Sequence, residues 1–190
     1  ASRVAQLRSG QVDIISRVPA TDIATLNRVE NIKVETSGTV FVFMLDLDMR
    51  DESPQISAKD GSPLDKNPFQ DPRVREAFDL AIDRNVLSEI SMEGMGEPAN
   101  QIVSEGTFGY NQDIETTTAD VARAKELLAE AGYPDGFKFT LSFTVDRLPG
   151  DREVGTALAQ MLARIGVEAE ANGVPVSILF SSRARGEMSA

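Results

Sequence analysis

The chain has no cysteine, no histidine and no tryptophan among its 190 residues. Without cysteine there is no disulfide and no thiol chemistry. Without histidine there is no Ser-His-Asp or Cys-His nucleophile and no imidazole metal ligand, so a zinc site would have to be all carboxylate. Two large classes of enzyme are thereby set aside, and neither a cofactor nor a metal is expected. Positive charge is also scarce: 19 Lys and Arg face 30 Asp and Glu, for a net charge of −11. A phosphate-tracking surface needs clustered Lys and Arg, which argues against nucleic acid and against an anionic membrane surface. No apolar run approaches the roughly 20 residues that a membrane span needs. Residues 1–20 contain Arg3, Arg8, Asp13 and Arg17 and no long apolar core, so they do not read as a signal peptide. The chain opens inside a helical pattern, as a domain cut from a longer protein would.

What is present suits a globular protein: 41% hydrophobic and 26% charged residues. The clearest pattern runs from Asn67 to Glu93. Asp71 is placed to cap a helix, and Pro72 fits the first helical position, where its missing N–H costs nothing. Val74, Ala77, Phe78, Ala81 and Ile82 then fall on one helical stripe. Asp83 can cap again, and Val86, Leu87 and Ile90 begin a second stripe before Gly94-Met95-Gly96 breaks it. Further on, Asp120 can cap a helix whose buried stripe is Val121, Ala124, Leu127, Leu128 and Ala131, with Gly132 and Pro134 as its stop. Lys138 to Thr144 alternates as a half-exposed strand. A helix follows from about Arg152 to Ile165, then a strand from Val167 to Ala171, a turn at Asn172-Gly173, and a last helix opened by Pro175 through Val176, Leu179 and Phe180 to Gly186.

Before these elements, residues 2–9 read as a short helix with Ser2 as cap and Gly10 as stop. Val12 to Ile15 reads as a strand, Thr21 to Val29 as a helix, and Ile32 to Ser37 as a strand broken by Gly38. Val40 to Leu47 is the most apolar run, and its lack of alternation predicts a central strand buried on both faces. Asp46 and Asp48, two apart at its end, would point to one side. They are either a site for a cation or amine, or a strand end meeting water. Residues 50–67 and 94–118 are long polar loops. Phe108 and Tyr110 lie in the second, and either cap a core edge or face a ligand.

The order Asp71-Pro72-Arg73-Val74-Arg75-Glu76-Ala77-Phe78, then Ala81-Ile82-Asp83-Arg84, resembles the strongest signature of the extracellular solute-binding proteins of family 5, the peptide-binding components of bacterial ABC importers. Some fifty positions later, Ala124 to Phe137 (AKELLAEAGYPDGF) resembles that family's second signature. Ser9 to Ile15 is similar to the family's entry into its C-terminal lobe. Met49 to Pro54, Lys59 to Leu64, Gly96 to Val103 and Glu105 to Asn111 resemble one branch of it.

The resemblance covers essentially all 190 residues. It implies an α/β fold, a mixed sheet flanked by helices, as in the C-terminal lobe of a two-lobed, class II periplasmic-binding-protein-like structure. Residues 1–190 are expected to be a single, incomplete lobe, with the partner lobe and a following strand outside the chain. The implied function is capture of a small peptide or peptide-like solute between two lobes, outside the cell membrane in the periplasm, and delivery to ABC permease subunits by a monomer. Alternatives are service in chemoreception or signalling, and a non-peptide ligand such as an opine, an oligosaccharide or a nickel complex.

By resemblance, the last helix and its end face the cleft. Arg183 stands where peptide binders can carry an Arg, whose planar fork suits a carboxylate. Its alternative is a solvated helix-end cation. Val176 stands where many members have a Trp, which removes a stacking surface. Val145 and Leu148 replace an Asn and a Tyr that often flank Asp146-Arg147. The candidate ligand-binding residues are therefore Arg183, Val176, Asp146, Arg147, Asp46 and Tyr110. Asp146 and Arg147 follow a strand's carboxyl end, where ligands gather in open α/β sheets. They should adjoin Val176 and Arg183 on one exposed face, with Arg183 free of any internal salt bridge.

Overall fold

A computed structural model of the chain describes residues 2–37, 40–92, 94 and 96–190. Gly38, expected to break a strand, and Met95, in the middle of the expected loop break, lie outside these residues, as do the side chains of Ser2 and Ile90. The chain divides into two compact units, residues 1–40 and 41–190.

The first unit holds α1 (Ser2–Arg8) and α2 (Ala20–Leu26). Gly10 takes a φ of 71° just past the first helix, the left-handed turn that an L side chain resists. Leu26 is buried, and Arg3 Nη1 donates to the Ser16 carbonyl at 3.0 Å. The strands expected at Val12–Ile15 and Ile32–Ser37 do not form: neither segment is paired in a ladder. A strand exists only by pairing, and pairing is not a property of the segment itself.

The second unit contains β1 (Ile56–Ser57), α3 (Pro72–Ala81), α4 (Arg84–Met92), α5 (Val121–Glu130), β2 (Lys138–Thr144), α6 (Asp151–Ala163), β3 (Glu168–Val174) and α7 (Val176–Ala184). The sheet order is β1-β2-β3. β1 is antiparallel to β2, and β2 is parallel to β3, so the sheet is mixed. The parallel pair is joined by α6, as a parallel connection requires a crossover.

Caps behave as the side chains dictate. Asp71 accepts from Arg73 N at 2.9 Å, and Asp120 accepts from Arg123 N at 2.9 Å. Asp83 Oδ1 accepts from Asn85 N and Val86 N, both at 3.1 Å, so the α3–α4 bend is held by its own carboxylate. Val74, Ala77, Phe78 and Ala81 of α3 are buried with Ala124, Leu127 and Leu128 of α5. At the centre stand Phe69, Phe78, Phe137 and Phe139. Phe69 meets the other three edge-on at 5.5, 5.7 and 5.3 Å between ring centres. Burial of each such ring is worth about 1.5–3 kcal/mol, and edge contacts add about 0.5–1.5 kcal/mol.

Two expectations are corrected here. Val40 to Leu47 is not a central strand: Val40, Phe41 and Met44 are 70%, 58% and 57% exposed. Leu45 and Leu47 of that run pack against the core of the second unit. Unbroken hydrophobicity records a tendency to be covered and does not specify the cover. The Asn172-Gly173 turn is also absent, because β3 continues through it to Val174 in register with β2. A Cβ on Gly173 would lie 2.7 Å from Val145 Cγ1 and 3.1 Å from Phe143 Cε2. Glycine there permits close packing of the Phe143 ring and does not reverse the chain.

Candidate functional site

The register of the parallel pair sets the site. Thr144 stands opposite Val174, so both chains leave the sheet at the same end. Val145 N donates to the Val174 carbonyl at 3.1 Å and carries the pairing one residue further. The next residue is Asp146 on one side and Pro175-Val176 on the other. Pro175 occupies the N-cap of α7 but has no side-chain hydrogen bond to give the helix. Asp146 supplies it instead: its Oδ1 accepts from Val176 N at 2.8 Å. A carboxylate at this terminus also faces the positive end of the helix dipole.

Arg147 follows. Its guanidinium carbon lies 5.4 Å from the centre of the Phe180 ring, a cation–π contact. Among the described residues Arg147 has no carboxylate partner. Phe180 itself is half exposed. Val176, Phe180 and Arg183 sit at i, i+4 and i+7, on one stripe of α7. At 1.5 Å of rise per residue, Val176 and Arg183 are about 10 Å apart along the axis.

At the far end of that stripe Arg183 Nη1 meets Asp46 Oδ2 at 2.8 Å. The expectation that Arg183 would be free of an internal salt bridge is corrected. The neighbouring carboxylate has a different partner. Arg50 Nε and Nη2 grip Asp48, at 2.9 Å to Oδ1 and 2.8 Å to Oδ2, and Nη2 also donates to the Gly186 carbonyl at 2.7 Å. The Arg50 hydrogen bonds hold the Asp48 carboxyl at about 2, against an ordinary 3.8. Asp46 and Asp48 thus pair with two separate guanidinium groups and not with one shared partner. Asp48 also binds the chain end, its N donating to the Ser189 carbonyl at 2.9 Å.

Five of the six candidates therefore lie along α7: Asp146, Arg147 and Val176 at its start, Arg183 and Asp46 near its end. Tyr110 is not joined to them. It is half buried in the loop between α4 and α5, with its N donating to the Thr107 carbonyl at 3.1 Å. Phe180 and Asp151 were missed. In the sequence Phe180 reads only as one more apolar residue of the last helix, yet α7 has no buried residue at all. Asp151 could have been found as the acidic residue after Pro149-Gly150 at a helix start. A shallow hollow of about 580 Å³ opens elsewhere, over residues 58–60, 64–66 and 131–136, and includes none of the six. Among the described residues no group of three or more metal-ligating side chains comes together. No described helix is long and apolar enough to cross a membrane.

Comparison with known proteins places the chain. The model of the bacterial extracellular solute-binding proteins, family 5, matches residues 1–189. The chain belongs to this family. It is 30% identical over 168 residues to the glutathione-binding protein GsiB of Salmonella typhimurium, covering 88% of this chain and 30% of that protein. GsiB of Escherichia coli O1:K1 is 28% identical over 169 residues, again 30% of its length. The family chain therefore spans under a third of these relatives. Among solved structures it is similar to the ABC transporter-associated periplasmic binding protein DppA of Helicobacter pylori in complex with peptide STSA. That likeness has a TM-score of 0.73 and 23% identity, and covers 99% of this chain and 33% of that one. AgaA from A. tumefacien R10, in complex with agropinic acid, matches with a TM-score of 0.68 and 27% identity over 99% of this chain and 35% of that one.

Proposed function

We propose that this chain forms part of the solute-binding component of an ABC-type importer, and that the α7 stripe is one wall of its cleft. The solute is a small peptide-like molecule with at least one carboxylate, handed on to permease subunits by a monomer in the periplasm. The observation that carries the reading is Arg147: a guanidinium backed by an exposed ring, with no carboxylate of its own among the described residues. A desolvated carboxylate needs such a counter-charge.

The spacing supports the size. The roughly 10 Å from one end of the stripe to the other matches about three residues of extended peptide. Glutathione, a peptide and agropinic acid, the ligands of the relatives, all carry carboxylates. Arg183 is a second anchor if the solute displaces Asp46, whose carboxylate then faces the solute's amine. Nothing in this arrangement calls for bond making: it offers counter-charges and an apolar surface, which suffices for capture and release.

Calorimetry on the full-length protein tests it, with glutathione and the tetrapeptide Ser-Thr-Ser-Ala as probes. Arg147→Ala should weaken the bound probe by about 1.5–3 kcal/mol, the range for hydrogen bonds to a charged group. An Arg147→Ala protein that binds its probe as tightly as the parent would sink the site.

A further inference from the structure

Asp151 opens α6 and is 4% exposed. Gly150 is the N-cap of that helix and gives it no side-chain bond, and Asp151 does not supply one either. Its bonds run backwards. Oδ2 accepts from Thr144 Oγ1 at 2.6 Å, from Arg147 N at 2.9 Å and from Leu148 N at 2.9 Å. Oδ1 is buried with no hydrogen-bond partner. A buried carboxylate with one bare oxygen is costly, and its cost asks for a reason beyond helix formation.

The reason lies in the loop it grips. Two successive backbone N–H groups converge on one oxygen, which fixes the path of the chain at Arg147 and Leu148. That path decides where the side chains of residues 146 and 147 leave the backbone. Asp146 then reaches Val176 N, and the Arg147 guanidinium reaches the Phe180 ring. Thr144, the last residue of β2, ties the same oxygen to the sheet. The loop is thereby referred to the sheet on one side and to α6 on the other.

We propose that Asp151 is a positioning residue that holds Asp146 and Arg147 in the geometry with which the α7 face receives its solute. The proposal rests on the reading of that face as the solute site. Asp151 touches no solute itself.

Hydrogen exchange on the ligand-free full-length protein, followed by calorimetry with glutathione and Ser-Thr-Ser-Ala, tests it. Asp151→Ala leaves two loop N–H groups without an acceptor. Exchange at residues 145–148 should rise about tenfold or more and probe affinity should fall about tenfold, with exchange in α3 unchanged. Asp151→Asn keeps an acceptor oxygen and should recover most of both. Thr144→Val is a milder second variant, removing one donor to the same oxygen. It should raise exchange at 145–148 about threefold and leave the melting temperature within a degree or two. No rise in loop exchange in either Asp151→Ala or Thr144→Val overturns the proposal. So does a rise shared equally by α3, which would make Asp151 a general stability residue. Faster loop exchange with unaltered probe affinity overturns it too. Failure of the site reading is seen separately, as unchanged affinity in Arg147→Ala.

Discussion

Arg183 Nη1 lies 2.8 Å from Asp46 Oδ2, and the two side chains are 57% and 54% exposed. An ion pair this open to water contributes little, because solvent and salt screen it and two long side chains must be held still. Arg183→Ala, Asp46→Ala and the double variant should give a coupling of about 0.2–1 kcal/mol in a stability cycle, falling as salt rises. A coupling above about 2 kcal/mol would mean that the pair holds the fold, which would leave Arg183 unable to exchange Asp46 for a solute carboxylate.

Gly155 should behave against its helix propensity. In the interior of a helix, Gly→Ala normally stabilises by roughly 0.5–1 kcal/mol. Here a Cβ would run into the Phe143 ring. That ring belongs to β2 and is also met by Gly173 of β3, so it has no simple way to withdraw. Gly155→Ala should therefore destabilise, by about 1–3 kcal/mol for overpacking. Urea unfolding decides it, and a gain in stability would show that the ring has room to move.

Acid should weaken the second unit through Asp48. Its carboxyl is held at about 2, below the ordinary 3.8, first by the Arg50 hydrogen bonds. A depressed pKa contributes stability that is fully present above the unfolded value and is lost as pH falls through the folded one. The window is thus from about 4 down to about 2. After allowance for solvent screening the contribution is about 1 kcal/mol. Arg50→Ala should flatten this part of the stability–pH curve. Parent and variant curves that stay parallel below pH 4 would remove Asp48 from the account.

Phe69 should be among the costliest truncations. It is fully buried and meets three other rings edge-on. Phe69→Ala should cost about 3–5 kcal/mol, from lost transfer energy and the cavity left behind. A loss below about 1.5 kcal/mol in chemical unfolding would indicate that the core collapses to fill the space.

The local elements were legible because their causes are local. Asp71, Asp83 and Asp120 accept from N–H groups two or three residues ahead, and Val74, Ala77, Phe78 and Ala81 share a face whatever lies opposite. The alternation of Lys138 to Thr144 likewise follows from the two-residue period of a strand. The sequence also carried the family, through two signatures in order. It could not say who pairs with whom across the chain. Arg183 meets Asp46 from 137 positions away and Asp146 caps a helix 30 positions on, the second contact set by the parallel register of β2 with β3. The same limit explains Val40 to Leu47 and Asn172-Gly173. An apolar run does not name its cover, and Asn-Gly turns only if nothing pairs with it. Opposite Phe143 and Val145, Gly173 leaves room for side chains that no inspection of its own neighbours would place there. Propensity acts within a few residues, whereas ladders, ion pairs and ring packing are fixed only when distant segments arrive in one register.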